Sequence, residues 1–160
     1  MKNILAKLIG TSFGSGYGPV APGTFGTLFG IGIYVLLAQG YPKPESILIG
    51  DIDRILICMI ILFTILGTWS AKVLEPEWGH DPGKIVIDEC IGVWITVLFI
   101  PLSWLNVLLA FILFRFFDIL KPLGISEIDK KMGTPFSVML DDIVAGVYSA
   151  IVLQGILFLI

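Results

Sequence analysis

Asp88 and Glu89 stand side by side at the end of "WGHDPGKIVIDE", and Asp141 and Asp142 stand side by side in "MLDDIVAG". Between them, "FRFFDILKP" spaces Arg115, Asp118 and Lys121 three residues apart, along one flank of a helix. Asp81 brings the carboxylates in these blocks to six, and Glu75 is a further candidate. So many anions in a small area repel one another unless divalent cations lie among them. Oxygen-only donors point to a hard ion, Mg²⁺ or Mn²⁺, rather than a soft metal. Arg115, Lys121 and, on charge alone, Lys84 are the groups that would grip phosphate. The bland readings are that the acid pairs are good helix N-terminal residues and that 115/118/121 is a private ion-pair ladder. The single histidine, His80, has no second histidine to complete a zinc site and reads as a hydrogen-bonding group.

A fourth polar block, "GSGYGPVAPGTFGT", runs from Gly14 to Thr27. Its glycines and prolines argue against a regular helix. It is either a re-entrant turn or a loop whose backbone N–H groups face an anion. Thr24 is expected as N-cap of the helix that follows. The block is neither GxGxxG after a strand nor a Walker loop, so no nucleotide fold follows.

The elements that hold these groups are apolar. Of 160 residues, 56% are hydrophobic and 14% charged, where a soluble domain has about a quarter charged. A single membrane-embedded domain over residues 1–160 is expected. No basic tract or stripe suggests nucleic acid. Cys58 and Cys90 have no ligand or CxxC spacing and are expected as small buried hydrophobes, not a disulfide. Lys2 and Lys7 among Ile4, Leu5, Leu8 and Ile9 predict a short interfacial helix, retained rather than cleaved.

Four uncharged stretches follow, Phe25 to Ala38, Ile55 to Ala71, Cys90 to Phe114 and Ile143 to Ile160. The third is too long for one ordinary span and carries "IPLSWLN" in its middle. A hairpin, with Pro101 ending one helix and Ser103 capping the next, leaves short arms, the first of which need not cross. It also gathers Lys2, Lys7, Lys72, Lys84, Arg115, Lys121, Lys130 and Lys131 on one side, with Lys43 and Arg54 opposite. That bias makes the crowded face cytoplasmic. The expectation is an all-α integral membrane bundle of about four to five short transmembrane helices plus the interfacial one. Gly26 with Gly30, and Gly146 with Ala150, predict close helix approaches. All four polar blocks then meet at one membrane face, which suggests phosphate chemistry on a lipid.

"FGSGYGPVAPGTFGTL", "GHDPGKIVIDE", "FRFFDILKP" and "MLDDIVAG", in this order from residue 13 to about 146, together resemble the phosphatidylglycerophosphatase A family of bacterial membrane phosphatases. The resemblance implies Mg²⁺-dependent removal of the terminal phosphate of phosphatidylglycerophosphate, a phospholipid of the cytoplasmic leaflet of the bacterial inner membrane. It carries over Asp81, Asp88, Glu89, Asp118, Asp141 and Asp142 as metal-binding acids. Arg115 and Lys121 lie alongside, and Gly23 and Thr24 occupy the substrate-side "PGT" turn. No cysteine or histidine pattern supplies a covalent nucleophile, so metal-assisted hydrolysis is expected, with Asp88, Asp142 and Asp118 catalytic and the base either Asp88 or Asp142. Competing readings are a lipid-synthesis transferase, which lacks its usual spaced aspartates here, and a cation pathway. Against the latter, the acids gather at one interface instead of stepping through the bilayer.

Overall fold

Helices form where the apolar stretches predict them, but most run longer than the uncharged runs. The computed structural model describes residues 2–40, 50–122 and 132–159. Lys43, Glu45, Lys130 and Lys131 lie outside the described residues. Among the described residues there are six α-helices: α1 (Lys2–Gly10), α2 (Pro22–Gly40), α3 (Asp51–Trp78), α4 (Ile87–Thr96), α5 (Trp104–Leu120) and α6 (Pro135–Leu159). Three of them, α2, α3 and α6, are long and apolar enough to cross a membrane. At 17 residues α5 sits at the lower limit of a span. The ten residues of α4 rise only about 15 Å, roughly half of the hydrocarbon thickness.

The hairpin expected at Pro101 is present. The Ser103 hydroxyl accepts the Asn106 N–H at 3.1 Å, and Asn106 Nδ2 donates to the Pro101 carbonyl at 2.8 Å. Because α4 is short and enclosed by α2, α3, α5 and α6, it is mostly apolar all round beyond its acidic first turn. Trp94 is its anchor: Nε1 donates to the Gly30 carbonyl at 2.8 Å, and the ring meets Phe63 edge-on at 5.4 Å. Small residues permit this enclosure. A Cβ on Gly30 would fall 3.0 Å from Cys90 Cα, and one on Gly26 would fall 2.6 Å from Val86 Cβ. The outward surface carries Ile61, Ile65, Ile112 and Ile151, as a lipid-facing surface should. Cys58 lies on this exposed face and corrects the expectation that it is buried, whereas Cys90 is buried as expected; both are free thiols.

The end of the bundle away from the acid pairs is fastened by Asp53. It is 3% exposed and accepts from the Gly50 N–H at 3.2 Å and the Phe99 N–H at 2.9 Å, which ties α3 to the α4–α5 turn. Asp53→Ala strands the Phe99 N–H and is expected to cost about 2 kcal/mol of stability. A lower thermal-unfolding midpoint in detergent checks this; an unchanged midpoint would mean that water replaces the carboxylate.

Candidate active site

The "GHDPGKIVIDE" segment reaches the bundle because α3 has to stop. Gly79, at φ 83°, ends the helix, a conformation that favours glycine. The chain then turns at Pro82, whose carbonyl accepts the Ile85 N–H at 2.9 Å, and docks on α1 where Val86 donates to the Gly10 carbonyl at 2.8 Å. Asp88 and Glu89 follow in the first turn of α4, as expected. Asp141 and Asp142 do not open α6, which begins at Pro135. They lie in its second turn, level with the start of α4, and are 4% and 3% exposed.

Five carboxylates therefore face two cations at one end of the bundle, and the cations are allotted. Arg115 pairs with Asp118 along α5, while Lys121 reaches across to Asp141. Lys121 caps α5 in a left-handed conformation at φ 41°. Burial works against its charge, but the Asp141 hydrogen bond, with the fields of Asp142 and Asp118, holds the ammonium above its ordinary pKa. Asp88, Glu89 and Asp142 remain, each offering an oxygen, and these oxygens all lie within 4.8 Å of one another. Glu89 Oε2 is buried with no hydrogen-bond partner among the described residues, and so is Arg115 Nε. Carboxylate oxygens this close, in so little water and with one of them unpartnered, are costly unless a cation completes them. A hard divalent ion with oxygen ligands fits the set.

The other expected ligands stand differently. Asp118 and Asp141 are held by their ion pairs, so the ladder along α5 is real for Arg115 and Asp118 but not for Lys121. Asp81 is exposed on the turn at φ 49°, outside the three-carboxylate group, though its charge acts on Asp88 and Asp141. Glu75 lies 3.2 Å from His80 Nδ1, so that histidine is a hydrogen-bonding group.

The glycine-rich block is corrected in two respects. First, the N–H groups of residues 14–18 donate to carbonyls within the loop, from Thr11, Ser12, Gly14 and Ser15, so they do not form an anion cradle. Gly16 serves close packing, since a Cβ there would strike the Lys84 carbonyl. Second, Thr24 is not the N-cap. Helix α2 starts at Pro22, which needs no N–H there, and the Thr24 N–H donates to the Ala21 carbonyl at 3.0 Å. Gly23 is at the site: a Cβ on it would strike Glu89 Oε1 and lie 3.0 Å from Arg115 Nη1. Lys84 stands apart from the three carboxylates, over the rings of Tyr17 and Trp78 at 5.9 and 5.7 Å. Those two aromatic partners were not anticipated, although Trp78 opens the quoted segment.

A family model described as Phosphatidylglycerophosphatase A matches residues 8–157. A Haemophilus influenzae protein named Phosphatidylglycerophosphatase A is 40% identical over 93% of this chain and 86% of its own. An Escherichia coli protein of the same name is 35% identical over 96% of this chain and 81% of its own. A Bacteroides thetaiotaomicron protein, provisionally named a phosphatidylinositol-3-phosphatase, is 42% identical over 94% of this chain and 92% of its own. No solved structure matches the chain.

Proposed function

The chain belongs to the phosphatidylglycerophosphatase A family, and from that premise we propose that it hydrolyses the terminal phosphomonoester of phosphatidylglycerophosphate to phosphatidylglycerol and phosphate. The reaction depends on Mg²⁺ and runs at the cytoplasmic face of the bacterial inner membrane. The observation that carries this reading is the Asp88–Glu89–Asp142 group with its orphaned Glu89 oxygen. These three residues would hold the ion. Bound there, Mg²⁺ supplies charge neutralisation for the phosphoryl oxygens and acidity to a water.

The protein's own groups do the rest. Arg115, oriented by Asp118, has a spare Nε–H to donate to a phosphoryl oxygen as negative charge grows on it. Lys121 keeps Asp141 neutralised, so that acid adds less repulsion to an incoming phosphate. Asp88 or Asp142 accepts the proton of the attacking water as its oxygen bonds to phosphorus. The phosphorus–oxygen bond to the headgroup then breaks, and the freed headgroup oxygen takes that proton. The residues of this site cluster at one end of the bundle, which supports hydrolysis at an interface over a cation path through the bilayer.

The test is phosphate release from phosphatidylglycerophosphate by purified protein in detergent, before and after chelation. Release is expected to fall to background on chelation and to return with added Mg²⁺. Full activity in chelator would remove the metal from the reading. No release under any divalent ion would remove the phosphatase and make cation flux in liposomes the question.

A further inference from the structure

A cavity of about 550 Å³ is lined by Tyr17, Pro22, Glu77, Trp78 and Lys84 among others. The first turn of α2 links it to the acid cluster: Pro22 forms part of its wall, and the next residue, Gly23, sits against Glu89 and Arg115. Lys84 supplies its cation. Glu77, the carboxylate in the wall, is hydrogen-bonded by Lys7 and also lies in the field of Lys84, but Lys84 makes no direct ion pair with a described carboxylate. Its ammonium is instead steadied over the faces of Tyr17 and Trp78, contacts that orient a cation without neutralising it.

The depth of this cavity identifies what it can meet. Trp78 is the last residue of membrane-length α3, and Trp and Tyr at the ends of spans sit at headgroup level. At that level a phospholipid carries its phosphodiester. The ring-flanked cation and the acid cluster are thus two neighbouring subsites, one suited to a diester anion and the other, with its metal, to a terminal monoester.

We infer that Lys84, held between Tyr17 and Trp78, binds the phosphodiester of a membrane lipid and so selects lipids that carry both a diester and a terminal phosphomonoester. This rests on the proposed phosphatase reading and deepens it. Phosphatidylglycerophosphate and phosphatidylinositol 3-phosphate share that pair of groups. The diester subsite thus accommodates both relatives' names without requiring one polyol.

The experiment measures binding of phosphatidylglycerol, which has the diester and no monoester, to detergent-solubilised protein. It compares wild type with Lys84→Gln and Lys84→Arg, with deacylated glycerophosphoglycerol and glycerol phosphate as parallel ligands. Lys84→Gln is expected to weaken phosphatidylglycerol about tenfold, the scale of one charge-assisted contact. Lys84→Arg should recover most of that, and glycerol phosphate should bind all the variants alike. The deacylated diester should bind far more weakly than the lipid; equal affinity would overturn the membrane-lipid assignment. In turnover, Lys84→Gln should raise KM for phosphatidylglycerophosphate by a similar factor with kcat within about twofold. Unchanged phosphatidylglycerol affinity, or an equal loss for glycerol phosphate, would overturn the proposal. Lysine-dependent lipid binding without any phosphate release by wild type would sink the phosphatase reading and leave the subsite standing.

Discussion

Asp142→Asn is expected to lower phosphate release by about a thousandfold, the scale of losing a group that acts on developing charge, while the protein folds at least as well as before. The two halves of this result have one cause. Asp142 is buried, and its oxygen lies within 4.8 Å of oxygens of Asp88 and Glu89. Asparagine keeps the shape and one acceptor but removes a negative charge. Repulsion inside the cluster falls, so the metal-free variant should unfold at a higher temperature than metal-free wild type. The same substitution removes the anionic ligand, so the stabilisation that Mg²⁺ gives wild type by mass action should shrink or vanish. Asp51→Asn, at the opposite end and paired among the described residues with Arg54, serves as the control and should leave turnover unchanged. Activity near wild type in Asp142→Asn would mean the carboxylate cluster is a fold feature and that the chemistry lies elsewhere. A lower unfolding temperature with unchanged Mg²⁺ response would mean that Asp142 is structural.

The blocks are legible in the sequence, but only one of the two acid–cation pairings is. Asp118 and its cation Arg115 are three residues apart, a spacing that predicts contact. Lys121 and Asp141 are twenty apart, and only the meeting of α5 with α6 decides that this acid, rather than Asp142, is neutralised. Two helix starts differ from expectation, for different reasons. The glycines and prolines of residues 14–27 argue against a helix, and the acid pair is expected to open the last one, yet Pro22 and Pro135 begin α2 and α6, where the missing N–H costs nothing. At α6 the signal lies in "TPFS": Ser137 N–H donates to Thr134 Oγ1 at 3.3 Å and Thr134 N–H to Ser137 Oγ at 3.2 Å, a reciprocal cap. Hydropathy starts the helix only after the charged pair, because it cannot foresee two aspartates in the second turn of a membrane helix. Those aspartates are tolerated there by virtue of what faces them.

Gly146→Ala should cost about a hundredfold in activity, the loss that follows a misplacement of about 1 Å, and it should lower the unfolding temperature as well. Helix propensity alone predicts the opposite sign, since alanine is favoured over glycine by about 1 kcal/mol in a helix. The crossing of α4 and α6 decides it. A Cβ on Gly146 would strike the Gly92 carbonyl oxygen and lie 3.0 Å from Gly92 Cα, all of it backbone that no rotamer change can move. Gly92 is equally confined, with a Cβ there 2.8 Å from the Asp142 carbonyl oxygen and against the Phe114 ring. The Thr96 hydroxyl, which donates to the Gly92 carbonyl within α4 at 2.9 Å, also reaches the Gly146 carbonyl across the crossing at 3.4 Å. One helical turn before each glycine, on the same face, stands an acid of the site: Asp88 before Gly92 and Asp142 before Gly146. Any separation of the helices at the glycines is therefore delivered directly to the spacing of the two carboxylates. Gly155→Ala, farther along α6 with nothing within 4 Å of the added carbon, should be neutral or stabilising and fully active. If Gly146→Ala matched Gly155→Ala in both unfolding temperature and turnover, the glycine crossing would not be what sets the distance between the acids.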